Sequence, residues 1–290
     1  MAQSPAHRFG QMIGGVLESA VDNLLTDFAA RHQLYLDRKG TRPARTGKKL
    51  QWTDSYGNSH DLDFVLEQNG TDKSLGTPIA FVEVAWRRYT KHSRNKAQEI
   101  QGAILPLRDA NRRSSPLIAV VAAGEFTEDA LSQLRSVGFH VAYWPYETVV
   151  RAFAEVGINA LWEENTPRRE FARRMKQWDS LSKAMKRVVH KKLIHQNASE
   201  IEKLMDALHC TASRTIASVR VLPLHGIIME WQSIDEAISF IHDYSKQNHV
   251  TSLVRFEIEV VYSNGDKVSG EFSTKEAAIE FLSNYESIRK

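Results

Sequence analysis

Across 290 residues there is one cysteine, Cys210, so an intrachain disulfide and a cysteine-built zinc site are both excluded. Such sparing use suits a reducing cytoplasm, which is the expected compartment. No apolar run reaches the roughly 18 residues of a membrane span, so no membrane partner is expected. The first residues, MAQSPAHRFGQMIGG, lack the basic-then-apolar layout of a secretory signal. Neither G-x-S-x-G nor H-E-x-x-H occurs, and the 11 histidines show no metal-ligand spacing. The stretch GTRPARTGKK fails as a phosphate loop, because its glycines stand seven apart and no Ser or Thr follows the lysines.

What is present is a globular composition, 42% hydrophobic and 25% charged. Its length suits one large domain or two ordinary ones. The net charge of +3 is modest but segregated. Residues 168–192 hold ten Lys/Arg against Glu170 and Asp179, about +8, which leaves about −5 elsewhere. That segregation suggests a polyanionic partner.

Periodicity orders the elements. Ile13, Leu17, Val21, Leu24 and Phe28 mark a first helix, followed by a basic loop, DRKGTRPARTGKK. LQWTDSYGNSHDLDFVLEQ reads as a hairpin around Tyr56-Gly57-Asn58-Ser59, and IAFVEVAW as the next strand. A helix is expected from about Ser93 to Arg108, with Lys96, Ile100, Ala103, Ile104 and Leu107 on one stripe. PLIAVVAAG reads as a strand buried on both faces, TEDALSQLRSVG as a helix capped by Thr127, FHVAYWP as a strand and YETVVRAFAEVG as a short helix. The order α-β-β-β-α-β-α-β-α implies an α/β sandwich around a mixed sheet over 1–165. Residues 166–213 read as a basic helical linker and DNA-binding segment, with Phe171, Met175, Trp178, Leu181 or Ser182, and Met185 on the packed face. In 214–290, SIDEAISFIHDY and TKEAAIEFLSNY repeat at an offset of 41, each after two strand-like runs. This reads as a duplicated ββα module, a small α+β domain for binding or for assembly with a second copy or a partner protein.

Chemistry concentrates in two adjacent strands. In HDLDFVLEQ, Asp61 and Asp63 alternate to one face, and FVEVAW holds Glu83 among apolar residues. A buried carboxylate is costly unless it is paired or binds a metal. Carboxylates on neighbouring strands suit Mg²⁺, which takes one or two protein oxygens and keeps several waters. The alternative is that Asp61 and Asp63 face solvent and that Glu83 pairs with Arg87. Just past Glu83 come Arg87, Arg88, Lys91 and Arg94, residue types that hold phosphates.

The Asp63 and Glu83 strands, within this element order, resemble the PD-(D/E)XK nuclease superfamily, the restriction-endonuclease-like fold. The resemblance covers roughly residues 10–160. It implies a Mg²⁺-dependent endonuclease, with Mn²⁺ substituting, that hydrolyses phosphodiester bonds of double-stranded DNA in a prokaryotic restriction, defence or mobile-element system. Asp63 and Glu83 would be catalytic metal ligands, and Glu18, in GGVLE, matches an acid that many of these nucleases place beside the metal; Asp61 would be auxiliary. Ala85 stands where the family has a lysine, so a migrated lysine is expected at Lys96, with Lys91 second. Arg87, Arg88, Lys91, Arg94, Arg173, Arg174, Lys176 and Lys183 would bind the DNA backbone. Ala85 also leaves open an inactive nuclease-like DNA-binding or assembly protein, and the fold equally accommodates a junction-resolving or transposon-end-cleaving enzyme.

Overall fold

The computed structural model describes residues 4–224, 228–244 and 254–286. They form two compact units, one of residues up to 111 and 116–209, the other of 112–115 and the residues from 210 onward. The long first helix, α1 (Pro5–His32), starts where a proline can start one: Pro5 needs no N–H partner, and Ser4 Oγ accepts from the His7 amide at 3.2 Å. It ends at Gln33 in the left-handed conformation, φ 55°.

Four short strands follow: β1 (Tyr35–Arg38), β2 (Gln51–Thr53), β3 (Ser59–Asp61) and β4 (Phe64–Gln68). Then come β5 (Thr77–Arg87), α2 (Ser93–Ala110), β6 (Leu117–Gly124), α3 (Glu128–Ser136), β7 (His140–Pro145) and α4 (Tyr146–Ala154). A five-stranded mixed sheet runs in the order β1-β4-β5-β6-β7. Its β1, β4 and β5 are antiparallel, whereas β5, β6 and β7 are parallel. Helices α2 and α3 pack on one face, over a core that includes Phe81, Ala85, Ile100, Ile104, Leu131 and Leu134. The other face is covered by α1 and α4. The result is an α/β sandwich whose central strands, β5 and β6, are buried on both faces, as their near-continuous apolar sequence requires.

Three expectations change. The strand β1 is unexpected and ends on Asp37 and Arg38, the first residues of the expected basic loop; its Tyr-Leu-Asp-Arg is too short and too polar to show alternation. The strand read through Asp61 to Glu67 is two strands. Ser59–Asp61 pairs only with β2 in a separate two-stranded sheet, and Leu62 joins the α2/α3-side core with Val65. The expected linker is not a linker. Helices α5 (Arg168–Ser180), α6 (Lys183–Gln196) and most of α7 (Ala198–Ala212) belong to the first unit, with α5 packed on α1 and α6 on α1 and α4. Its basic stretch breaks at Leu181, where Ser182 caps α6. The break resets the helical phase, so Met185 is exposed and Val189 and Leu193 are buried instead.

The second unit holds β8 (Ile216–Pro223), β9 (Met229–Trp231), α8 (Ile234–Asp243), β10 (Phe256–Tyr262), β11 (Lys267–Phe272) and α9 (Lys275–Glu286). Its sheet order, β11-β10-β8-β9, places the two ββα halves back to back through an antiparallel β8–β10 pair. Residues 225–227, between β8 and β9 in the chain, lie outside the described residues. Ala237 and Ile241 from α8, with Tyr244 at its C-cap, share one core with their counterparts Ala278, Leu282 and Tyr285 from α9. Among the described residues no helix is long and apolar enough to cross a membrane.

Candidate functional site

The antiparallel β4–β5 register sets Phe64 opposite Val82, so the residue before Phe64 falls beside the residue after Val82. Those residues are Asp63 and Glu83. The Asp63 amide donates to Glu83 Oε1 at 3.1 Å, and Asp63 Oδ2 accepts from the Val84 amide at 3.0 Å. Glu83 is 8% exposed, between Phe81 and Ala85 on the strand. Burial, and then the Asp63 charge, pushes its carboxyl up to about 8; the Asp63 amide and the Lys96 and Lys39 ammonium groups pull the other way. The expected alternative partner is elsewhere: Arg87 lies 3.6 Å from Glu99.

A residue not singled out from the sequence completes this centre. Lys39, just after β1, places its ammonium 2.9 Å from Asp63 Oδ1 and 3.1 Å from Glu18 Oε1. Burial works against its charge, but the Asp63 and Glu18 carboxylates outweigh that and hold its pKa above the usual lysine range. Glu18 thus reaches the centre from α1 through Lys39. The loop that carries Lys39 is pinned by Arg42, whose Nη1 donates to Asp37 Oδ2 and Glu67 Oε1 at 2.6 Å each. Its Nη2 adds Glu67 Oε2 at 2.9 Å and the carbonyls of Thr71 and Ser74 at 2.8 Å each. All three charged residues are buried. The sequence signal was Asp37 inside a short strand followed by two arginines, legible only once the strand itself is known.

Lys96 sits at the edge of the packed stripe of α2, its side chain 16% exposed, and pairs with Glu99 at 2.7 Å. Its charge acts on Glu83 through space, while its hydrogen bond and ion pair are with Glu99. Ala85 is buried in the apolar core with Ala97 and Ile100, so a lysine there would place its charge in that core. Asp61 is not part of the centre. It belongs to the β2–β3 hairpin, where it accepts from Lys49 at 2.6 Å and from Gln51 at 2.7 Å.

The expected phosphate contacts divide. Arg174, 5% exposed, packs against Phe9 and Phe171 and donates to the Leu161 carbonyl at 2.8 Å, so it cannot meet DNA. Arg88, with an 11% exposed side chain, lies over Tyr146 and donates to the Trp162 carbonyl; it braces the fold rather than facing outward. Lys91, Arg94, Arg173, Lys176 and Lys183 are exposed, and Arg87 is half-buried. Of these, Lys91 pairs with Glu164 at 2.7 Å, Arg173 with Glu170 at 2.9 Å and Arg94 with Asp129 at 3.5 Å.

Asp63 and Glu83 offer hard oxygen donors, and a cation, the Lys39 ammonium, already lies against Asp63. Among the described residues no group of three or more His, Cys, Asp or Glu gathers as a metal cage. Two protein carboxylates are the set that Mg²⁺ commonly accepts, and the donor chemistry fits it.

Comparison with known protein families and with curated proteins finds no match. Among solved structures, the chain is similar to a crystal structure of a protein of unknown function, AF1548, at 12% identity, covering 66% of this chain and 99% of that one. The TM-score is 0.29, too low to carry an argument.

Proposed function

We propose that this protein is a Mg²⁺-dependent DNA endonuclease of the PD-(D/E)XK type, working in a prokaryotic restriction, defence or mobile-element system. The observation that carries the reading is the juxtaposition of Asp63 and Glu83 through the β4–β5 register, with Lys39 held against Asp63. Asp63 and Glu83 would hold the metal. When bound, a divalent cation there supplies Lewis acidity toward a phosphodiester.

The chain's own groups do the rest. The backbone amides at Asp63 and Val84 fix the two carboxylates relative to each other, so that little reorganisation is needed. Lys39 takes the part expected of Lys96: a cation at the carboxylates, able to donate to a phosphate oxygen as negative charge grows on it. Glu18 orients Lys39. Arg87, Lys91 and Arg94 line the approach and neutralise flanking phosphates. Purified protein should cut double-stranded DNA with Mg²⁺ or Mn²⁺, and stop on chelation. Asp63→Asn and Glu83→Gln should each abolish cutting; cleavage that survives both substitutions overturns the reading.

A second reading rests on Ala85. With the lysine position closed and Lys39 already neutralising Glu18 and Asp63, the fold would bind DNA without cutting it. The same assay separates the two, because the silent scaffold binds DNA and leaves it whole with either metal.

A further inference from the structure

Helix α1 carries three glycines, Gly10, Gly14 and Gly15, well inside its length. Each costs about 1 kcal/mol relative to alanine in a helix interior. Packing does not demand them. A Cβ at Gly10 would lie 3.7 Å from Trp86 Nε1, one at Gly14 3.9 Å from Trp86 Cβ, and one at Gly15 would meet nothing within 4 Å. What they keep is open space. Gly15 borders a cleft of about 300 Å³ that contains Glu18 and Lys39. Gly10 and Gly14, one turn apart, floor a larger cavity of about 560 Å³ beside Lys96.

The walls of this larger cavity are aromatic: Trp86, Tyr89 and Trp162. They are held firmly. Trp86 and Trp162 pack on each other and on Tyr146, and Arg88 is fixed between Tyr146 and the Trp162 carbonyl. The rim is cationic, with Lys96 and Arg87, two cations that share the one carboxylate of Glu99, and an exposed Arg168 that has no ion-pair partner among the described residues. Its two acids are engaged, Glu163 by Arg88 and Glu164 by Lys91. The volume lies within the ~300–1,000 Å³ of small-ligand sites, which admits a single nucleotide and excludes a paired duplex. Aromatic walls under a cationic rim are how proteins hold unstacked bases without regard to sequence.

We propose that this cavity receives one unpaired nucleotide of the DNA substrate, its base against the half-buried Trp86 and Tyr89, which the buried Trp162 backs, and its phosphate toward Lys96, Arg87 and Arg168. Lys96 is common to the cavity and to the surroundings of Glu83, so the nucleotide would lie next to the bond that is cut. The preferred substrate is then a duplex with a frayed, flapped or branched end, not an uninterrupted helix. This identification of the substrate rests on the nuclease reading above.

The test uses the full chain under chelation and two probes: a blunt 20-base-pair duplex, and the same duplex with a four-nucleotide single-stranded overhang that contains 2-aminopurine. The overhang probe should bind about tenfold more tightly, as stacking on one aromatic site provides, and its fluorescence should fall on binding. Gly10→Leu and Gly14→Leu fill the cavity with a better helix former, so the fold should persist, as circular dichroism checks. Both variants should lose the preference and the fluorescence change while keeping blunt-duplex affinity, whereas Gly10→Ala should keep both. Equal affinity for the two probes, or quenching that survives the leucine substitutions, overturns the pocket. If the unsubstituted chain also cuts blunt duplex with Mg²⁺, the pocket alone fails and the nuclease reading stands. Overhang preference that is lost on filling, in a chain that cuts no DNA with either metal, overturns the nuclease reading and supports the pocket.

Discussion

Glu83 is the residue whose environment can be read most directly in solution. Its carboxyl is pushed up to about 8 by burial and by Asp63, against an ordinary value near 4.5. Between about pH 4.5 and 8 the folded chain therefore keeps a proton that the unfolded chain has released, and metal-free stability falls as pH rises through that window. Glu83→Gln removes the dependence. With chelator present, the variant should melt above the unsubstituted protein at pH 8, and the gap should close below about pH 5. The lysine assignment is tested beside it: Lys39→Ala should lower cleavage at least the roughly tenfold that 1.4 kcal/mol represents, and by more than Lys96→Ala does. If only Lys96→Ala is impaired, the migrated lysine is the one on α2 and Lys39 is an ion-pair partner. Arg42 supports this centre from behind. Arg42→Ala leaves Glu67 buried without a cation and Asp37 with Arg45 as its remaining one, which should cost about 3–5 kcal/mol in denaturant titration. Arg42→Lys should not restore it, because one ammonium cannot make the two-pronged contact to Glu67.

Among the elements, the basic helices α5 and α6 carry the largest positive charge, and the face that each one packs decides which charges face outward. Arg173, Lys176 and Lys183 are exposed, whereas Arg174 is sealed under α1. Replacing the three exposed residues with glutamine should weaken binding to all DNA sequences alike and flatten the slope of log K against log[salt] by up to about 2.7, at about 0.9 per phosphate. An unchanged slope with loss of one preferred sequence would mean that these residues read bases. Arg174→Gln belongs to a different class: it should lower the melting temperature and leave the salt slope alone.

For the molecule as a whole, the division into two units separates the proposed chemistry from the repeat. The carboxylate centre and the nucleotide cavity draw every residue from the first unit. In the second, the helices of both halves share one core, so neither half can unfold alone. Ile241→Ala and Leu282→Ala, equivalent positions in the repeat, should each cost about 2–5 kcal/mol and shift the same calorimetric transition. DNA cleavage by these variants at low temperature should persist.

The sequence by itself determined whatever is local or periodic. The apolar stripe of α1, the strand β5, the doubly buried β6, the Thr127 cap and the 41-residue repeat were all legible, because helix and strand periods and capping chemistry are written in neighbouring residues. So was the oddity of Glu83, a charge inside an apolar strand. Tertiary structure alone decided the pairings between distant segments. Only the β4–β5 register puts Asp63 against Glu83 and strands Asp61 on a separate hairpin. Lys39 comes to Asp63 only because the Arg42 network folds a charged loop back on the sheet. A two-residue break after Ser180 turned one expected helix face into two, exposing Met185 and burying Val189 and Leu193 in its place. The physical reason is common to these cases. A hydrogen-bond register or a buried ion network is fixed by contacts between residues far apart in the chain, and no local periodicity records them.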